Sequence, residues 1–252
     1  MPRHHLPSFA LLLALPIAAS AQRAAKPSGQ TAAEKLQAPP AWEAAVDARR
    51  KQLTAANGPG TDVALRDRLL AMAVTDQAAR GFITGKASQG TEQQRIEHLT
   101  ETDAQLTAEL KQIVAAKAWP TISLVGIEAS DAAMLLLTHT ADHAWQLQLL
   151  PQLEQLADGN KIDASPLALV IDKELVAAGK LQRYGTQFKF INGRMAMYAV
   201  EDPGNLDAIR SRAMLPPMGF YKDLLARMYG LKPTHDIVGS APPSTSSAPP
   251  KP

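Results

Sequence analysis

At 252 residues, with 46% apolar and 20% charged side chains, the chain can bury a sizeable core, which excludes a disordered, collagenous or disulfide-stapled protein. Its 26 Lys and Arg against 24 Asp and Glu leave a net charge of +2, too balanced for binding nucleic acid or an anionic membrane through bulk charge. There is no cysteine, so disulfides, thiolate metal sites and thiol nucleophiles are ruled out.

Of the 19 prolines, six lie in residues 1–40 and six in 233–252, so a single globular domain is expected between residues 41 and 232. Met1 to Ala21 has a short basic start (Arg3, His4, His5), an apolar stretch around Phe9–Ala19 and the small-residue exit Ala19-Ser20-Ala21. This reads as a secretory signal peptide cleaved after Ala21, which makes the protein an exported one, periplasmic or secreted. The apolar stretch is about half of the ~20 residues needed to cross a bilayer, and Pro7 and Pro16 interrupt it, so no stable membrane span is expected after cleavage. Residues 22–40 read as a flexible linker and 233–252 as a disordered Ser/Pro-rich tail, both too poor in large apolar groups to offset the entropy of ordering.

Residues 41–56 predict a helix stopped at Asn57-Gly58-Pro59-Gly60. Apolar residues at helical intervals predict two more over 61–80 and 91–118, the latter ended by Trp119-Pro120. A short turn or extended piece is expected at 121–128. Ser130 resembles the N-cap of a helix over 131–143, and Leu149–Ala157 and Pro166–Ala178 predict two further helices, with Gly159 and Gly179 as terminators. From 182 to 200 the period changes to two, and Asn192-Gly193 is a strong hairpin signal. Pairing Ile191 with Arg194 puts Tyr184, Phe188, Phe190, Met195, Met197 and Ala199 on one face, which should pack on the helices. Helices over about 204–213 and 217–229 close the domain. The fold class is therefore mostly α-helical, α+β in strict terms, with one β-hairpin at about 182–200 packed on the helices.

Three local features carry polar chemistry. In His139-Thr140-Ala141-Asp142-His143 the two histidines are four apart, which on one helix would stack both imidazoles, partly buried, on its apolar face. Such a pair can ligate zinc, but Thr140 stands where a zincin needs a glutamate and no third ligand is recognisable, so no bound metal and no cofactor is expected. Gln182-Arg183-Tyr184-Gly185-Thr186-Gln187 is dense in hydrogen-bonding groups, and its glycine permits a bulge or a close backbone approach. Asp76-Gln77 with Arg80 gives an i,i+4 ion pair, normally a feature of a solvated face. No Gly-x-Ser-x-Gly elbow or phosphate-cradling loop occurs.

Taken in order, these pieces resemble a bacterial family of uncharacterised proteins, the domain-of-unknown-function family 6624. Its pattern is met by Asp76-Gln77 with Arg80, Ala118-Trp119-Pro120, Val125-Gly126, His139 with Asp142-His143, Asp172-Lys173, and Gln182 to Gln187, over about residues 65–225. Ala118 stands for a glycine, Thr138 for a glutamine and Lys173 for an arginine, and one extra residue separates His139 from Asp142, so either His139 or His143 can answer to the family histidine. The resemblance implies a shared fold and a shared polar site without a reaction.

The leading expectation is one polar pocket lined by Asp76, Gln77, Arg80, His139, Asp142, His143, Asp172, Gln182, Tyr184 and Gln187, binding a small polar or peptide-like ligand. A hydrolase using the histidine, aspartate and tyrosine of that pocket is the alternative. A third is an interaction or structural module in which these residues only fix the hairpin on the helices. Catalytic residues are not identified, and nucleic acid is not an expected partner.

Overall fold

The computed structural model describes residues 40–81 and 90–239. The expected signal peptide, linker and distal tail lie outside the described residues. The described chain divides into two compact units, with the border inside one helix between Val170 and Ile171.

The first unit is helical. Helix α1 (Pro40–Asn57) is followed by α2 (Val63–Ala79), α3 (Glu92–Lys117), α4 (Ile122–Val125), α5 (Ile127–His139), α6 (His143–Asp158) and the start of α7 (Ala164–Ala177). Local chemistry sets the ends. Asp62 caps α2 by accepting from the Leu65 N–H, and Thr91 with Gln94 forms a reciprocal capping box on α3. Helices α2, α3 and α5 pack on one another, and Leu69, Met72, Leu106, Leu110, Ala132 and Leu136 are buried. Helix α1 adds Leu53, which shares a buried cluster with Ile122 and Ile127.

Several boundaries differ from the sequence reading. Residues 121–128 are not an extended piece, since they hold the single-turn α4 and the start of α5. Helix α5 begins at Ile127, not after Ser130, whose N–H already bonds the Gly126 carbonyl and whose side chain is buried. The cause is Gly126, held at φ +82 where the backbone of Gly60 lies against it. A Cβ on Gly60 would stand 2.4 Å from the Gly126 nitrogen and one on Gly126 would stand 2.8 Å from the Pro59 oxygen, so both positions need glycine. The Thr61 and Asp62 N–H groups both donate to the Leu124 carbonyl and complete the seam.

Helix α5 also ends early. Thr140 leaves the helix at ψ 143, its hydroxyl accepts from the Asp142 N–H, and Asp142 caps the new helix α6 by accepting from Trp145 N–H. His139 and His143 therefore belong to different helices. His139 is buried and His143 is exposed, so the expected stacked and buried pair is not formed.

The second unit contains the end of α7, a three-stranded sheet of β1 (Phe188–Ile191), β2 (Arg194–Tyr198) and β3 (Lys232–Val238), and helices α8 (Leu206–Arg212) and α9 (Met218–Tyr229). The hairpin has the expected register, Ile191 opposite Arg194, around Asn192 and Gly193 with φ 49 and 73. Phe188 faces Met197 and Phe190 faces Met195. The Phe188 and Phe190 rings meet Tyr221 and Tyr229 of α9 at 6.0 and 5.6 Å. The apolar face of the hairpin does pack on a helix.

The alternation fails earlier, because residues 183–187 form a loop instead of continuing β1, and Tyr184 does not share the hairpin face. The last strand was not foreseen. Residues 232–238, most of which were assigned to a disordered tail, pair in parallel with β2 and leave β2 central in the order β1-β2-β3. Pro233 is tolerated there because β3 is an edge strand. Among the described residues no helix is long and apolar enough to cross a membrane.

Candidate functional site

In the first unit, helical spacing and two helix ends bring five polar side chains together. Asp76 and Arg80 lie one turn apart on α2, with Arg80 Nη1 3.5 Å from Asp76 Oδ1. His139, at the last turn of α5, donates from Nδ1 to Asp76 Oδ1 at 2.6 Å, and Gln77 Nε2 donates to Asp76 Oδ2 at 2.8 Å. Asp103 on α3 then takes Arg80 Nη2 on both carboxylate oxygens, at 2.9 and 3.1 Å. Asp76 is fully buried, so the pair that looked like a solvated-face feature is instead the hub of a buried network.

The electrostatics fix the proton positions. Burial pushes the Asp76 carboxyl up, but the hydrogen bond to His139, the charge of Arg80 and the Gln77 bond oppose it, and Asp76 is held below the ordinary carboxylate value. Burial pushes His139 down, helped by the Arg80 charge and only partly opposed by Asp76. Near neutral pH the state is thus an ionised Asp76 and a neutral imidazole with its proton on Nδ1. That tautomer leaves Nε2 as a lone-pair acceptor. The His139 side chain is 2% exposed, and Nε2 has no hydrogen-bond partner; the same is true of Arg80 Nη1, on a side chain 10% exposed. Buried polar atoms are seldom left so, and this cluster holds two of them.

Asp142 is engaged elsewhere, and His143 is exposed at the first turn of α6. Asp142 caps α6 and pairs with Lys111 of α3, whose hydrogen bond holds its carboxyl below the usual range. Among the described residues no group of three or more His, Asp or Glu side chains is placed to hold a metal.

In the second unit, Asp172, Gln182, Tyr184 and Gln187 come together, but chiefly through backbone. The Asp172 carboxylate on α7 accepts the N–H groups of Arg183 (2.7 Å), Tyr184 (3.0 Å) and Thr186 (2.9 Å) and the Thr186 hydroxyl (3.0 Å). Burial pushes its pKa up and these bonds oppose the push. Gly185, at φ +68, lets the chain curl so that all of these donors point to one carboxylate. In the same loop, the buried Arg210 of α8 donates from Nη1 to the Tyr184 carbonyl at 2.6 Å and, beyond the loop, from Nε to the Pro216 carbonyl at 2.7 Å, its guanidinium 4.6 Å from the Tyr221 ring centroid. Gln182 donates to the Gln187 and Tyr198 carbonyls and accepts from the Gln187 N–H. Gln187 Nε2 reaches the Thr186 hydroxyl.

The sequence reading missed Asp103, Lys111 and Arg210, and it named Thr186 in its motif without placing it in the pocket. Asp103 and Arg80 are 23 residues apart and Arg210 and Tyr184 are 26, and no local spacing signals such pairs. It also missed a second buried ion cluster in the first unit, where Arg50 Nη1 of α1 reaches Asp131 Oδ2 of α5 at 2.6 Å and Asp163 Oδ2 at 3.3 Å.

No curated protein and no solved structure significantly matches the chain. Residues 63–234, more than half of its length, match the family model of a family of unknown function, DUF6624.

Proposed function

Because the chain belongs to the family of unknown function DUF6624, which brings no activity to transfer, we propose from the geometry that the first unit binds a small polar ligand, with His139 as its proton acceptor. The observation that carries this reading is the His139 imidazole, with Nδ1 2.6 Å from Asp76 Oδ1 and Nε2 buried without a hydrogen-bond partner. Asp76 orients the ring, and Arg80 adds a cationic donor beside it. A hydrolase is the second reading, since an oriented neutral imidazole is also what a general base requires. Asp172, Gln182 and Gln187 have a different role in this proposal. Their bonds go largely to backbone groups of one loop, which supports a structural clamp.

The test is His139→Asn, whose amide can still donate to Asp76 but which lacks an atom at Nε2. In a thermal-shift screen with amino acids, dipeptides and monosaccharides, a compound at a hundred times its Kd should stabilise the wild type by ~2.7 kcal/mol. The variant should fold and lose that gain. Equal shifts in both proteins, or none with any compound, would remove the binding reading. Turnover of a bound ester or amide, lost in the variant, would favour the hydrolase.

We further propose that the protein is exported, on the strength of the three regions of Met1–Ala21. Intact-mass analysis of protein made in an exporting host should show a chain beginning at Gln22. A mature chain that keeps Phe9–Ala19 would contradict it.

A further inference from the structure

Both oxygens of Asp76 are already engaged, Oδ1 by His139 Nδ1 at 2.6 Å and Oδ2 by the Gln77 amide at 2.8 Å. Arg80 Nη1 stands 3.5 Å from Oδ1, within ion-pair range but without a hydrogen bond. Among the described residues, the guanidinium is hydrogen-bonded through Nη2 to Asp103 of α3, on both carboxylate oxygens, at 2.9 and 3.1 Å. Its own helix does little to fix it, since Arg80 is the C-cap residue of α2. The Arg80 side chain is 10% exposed and that of Asp103 19%, so the pair lies between the buried hub and solvent. A long cationic side chain so near the surface turns its head to water unless a partner offsets the cost of burying it.

We propose that Asp103 is the positioning residue of this site: it holds the Arg80 guanidinium inward, so that a fixed cation stands beside Asp76 and His139. The inference rests on the reading of His139 as a proton acceptor and names the residue that regulates it. A cation in that place disfavours a second proton on the imidazole, and the Arg80 charge does push His139 down. The Asp103 carboxylate, by its own charge, pushes His139 up, and of the two the Arg80 effect is the larger. Asp103 as a holder of Arg80 and Asp103 as a bare charge therefore act on the same ring with opposite signs. Of the other elements packed on α5, α4 carries no titratable side chain, and Arg50 of α1 reaches Asp131, about two turns before His139. At the start of α6, Asp142 is paired with Lys111.

The experiment follows the His139 nitrogens of the full chain, labelled with 15N-histidine, through a pH titration of the wild type, Asp103→Ala, Arg80→Gln and the double variant. The expected result is that His139 takes its second proton at a higher pH in Asp103→Ala than in the wild type. Arg80→Gln should raise it at least as far, the double variant should match Asp103→Ala, and the Nδ1 proton should stay protected from solvent throughout. A lowered or unchanged value in Asp103→Ala overturns the proposal, because Arg80 then keeps its place without Asp103. A raised value with a freely exchanging Nδ1 proton overturns it too, since the ring has then only been exposed by loosened packing. The wild type supplies a second measure that does not depend on the variants folding. With 15N-arginine, Arg80 should show Nη2 protons distinct from Nη1 and slow to exchange, and a freely rotating guanidinium overturns the proposal. In each of these failures a wild-type His139 with a single proton at pH 7 leaves the proton-acceptor reading standing, whereas a doubly protonated one overturns both.

Discussion

Loss of the Asp172 carboxyl should cost the second unit about 3–5 kcal/mol. In Asp172→Ala, three backbone N–H groups and the Thr186 hydroxyl lose their acceptor at once. Each buried donor left unmet costs ~1–3 kcal/mol, less where water can enter. Arg210, fully buried, also loses the favourable field of the nearby carboxylate. Urea denaturation should show the lowered midpoint, and the amide protons of Arg183, Tyr184 and Thr186 should exchange much faster. Asp172→Asn should lose less, because its amide oxygen still accepts. A loss below 1 kcal/mol in the alanine variant, with unchanged exchange, would show that the loop holds itself and that the clamp is incidental.

That clamp also shows where reading the chain alone stops. Gln182 to Gln187 stood out by composition, but alternation carried the expected strand straight through it. What turns the chain there is a carboxylate ten or more residues upstream and an arginine in α8, both invisible to a local period. The hairpin beyond was legible because its signal, Asn192-Gly193 between alternating apolar residues, is local. The histidine pair failed for a related reason. Apolar spacing continues from α5 across Thr140, and only the capping by Thr140 and Asp142 divides one apparent helix into two. Strand β3 was hidden in a proline-rich end, since an edge strand can be held by backbone bonds to a neighbour and needs little apolar patterning. Of the site, the Asp76 to Arg80 step was readable as helical spacing, whereas its burial depended on α3 and α5 closing over it.

The first unit should become less stable as pH rises from about 4 to 7 through Asp131. Burial and the neighbouring Asp163 push its pKa up to about 7, against the pull of Arg50, with Glu128 adding to the push. The folded unit then keeps a proton that the unfolded chain has released above pH 4. This contribution is fully present below the ordinary value of 3.8 and is lost as pH climbs through about 7. At ~1.4 kcal/mol per pH unit of displacement it amounts to a few kcal/mol. Asp76 and His139, both held low, work in the opposite direction and lose stability as pH falls. The effect of Asp131 is therefore read as a difference. Between pH 4.5 and 8 the urea midpoint of Asp131→Asn should gain on the wild type at the alkaline end, because the amide has nothing to ionise. Parallel pH profiles for the two proteins would place the Asp131 pKa near its ordinary value.

The seam between Gly60 and Gly126 bears on where the first unit can be cut. The stretch shared with the family starts at residue 63, yet Gly60 and the Thr61 and Asp62 N–H groups grip Leu124 to Gly126 from the far side of that border. Helix α1, wholly outside the shared stretch, adds Leu53 against Ile122 and Ile127 and brings Arg50 to Asp131 and Asp163. A fragment begun at residue 63 would strip two donors from the Leu124 carbonyl and open an apolar cluster. It would also strand two inward carboxylates without the guanidinium that divides their charge. The homologous stretch and the stretch able to stand alone have different beginnings, and a truncation that follows ancestry would cut through the fold.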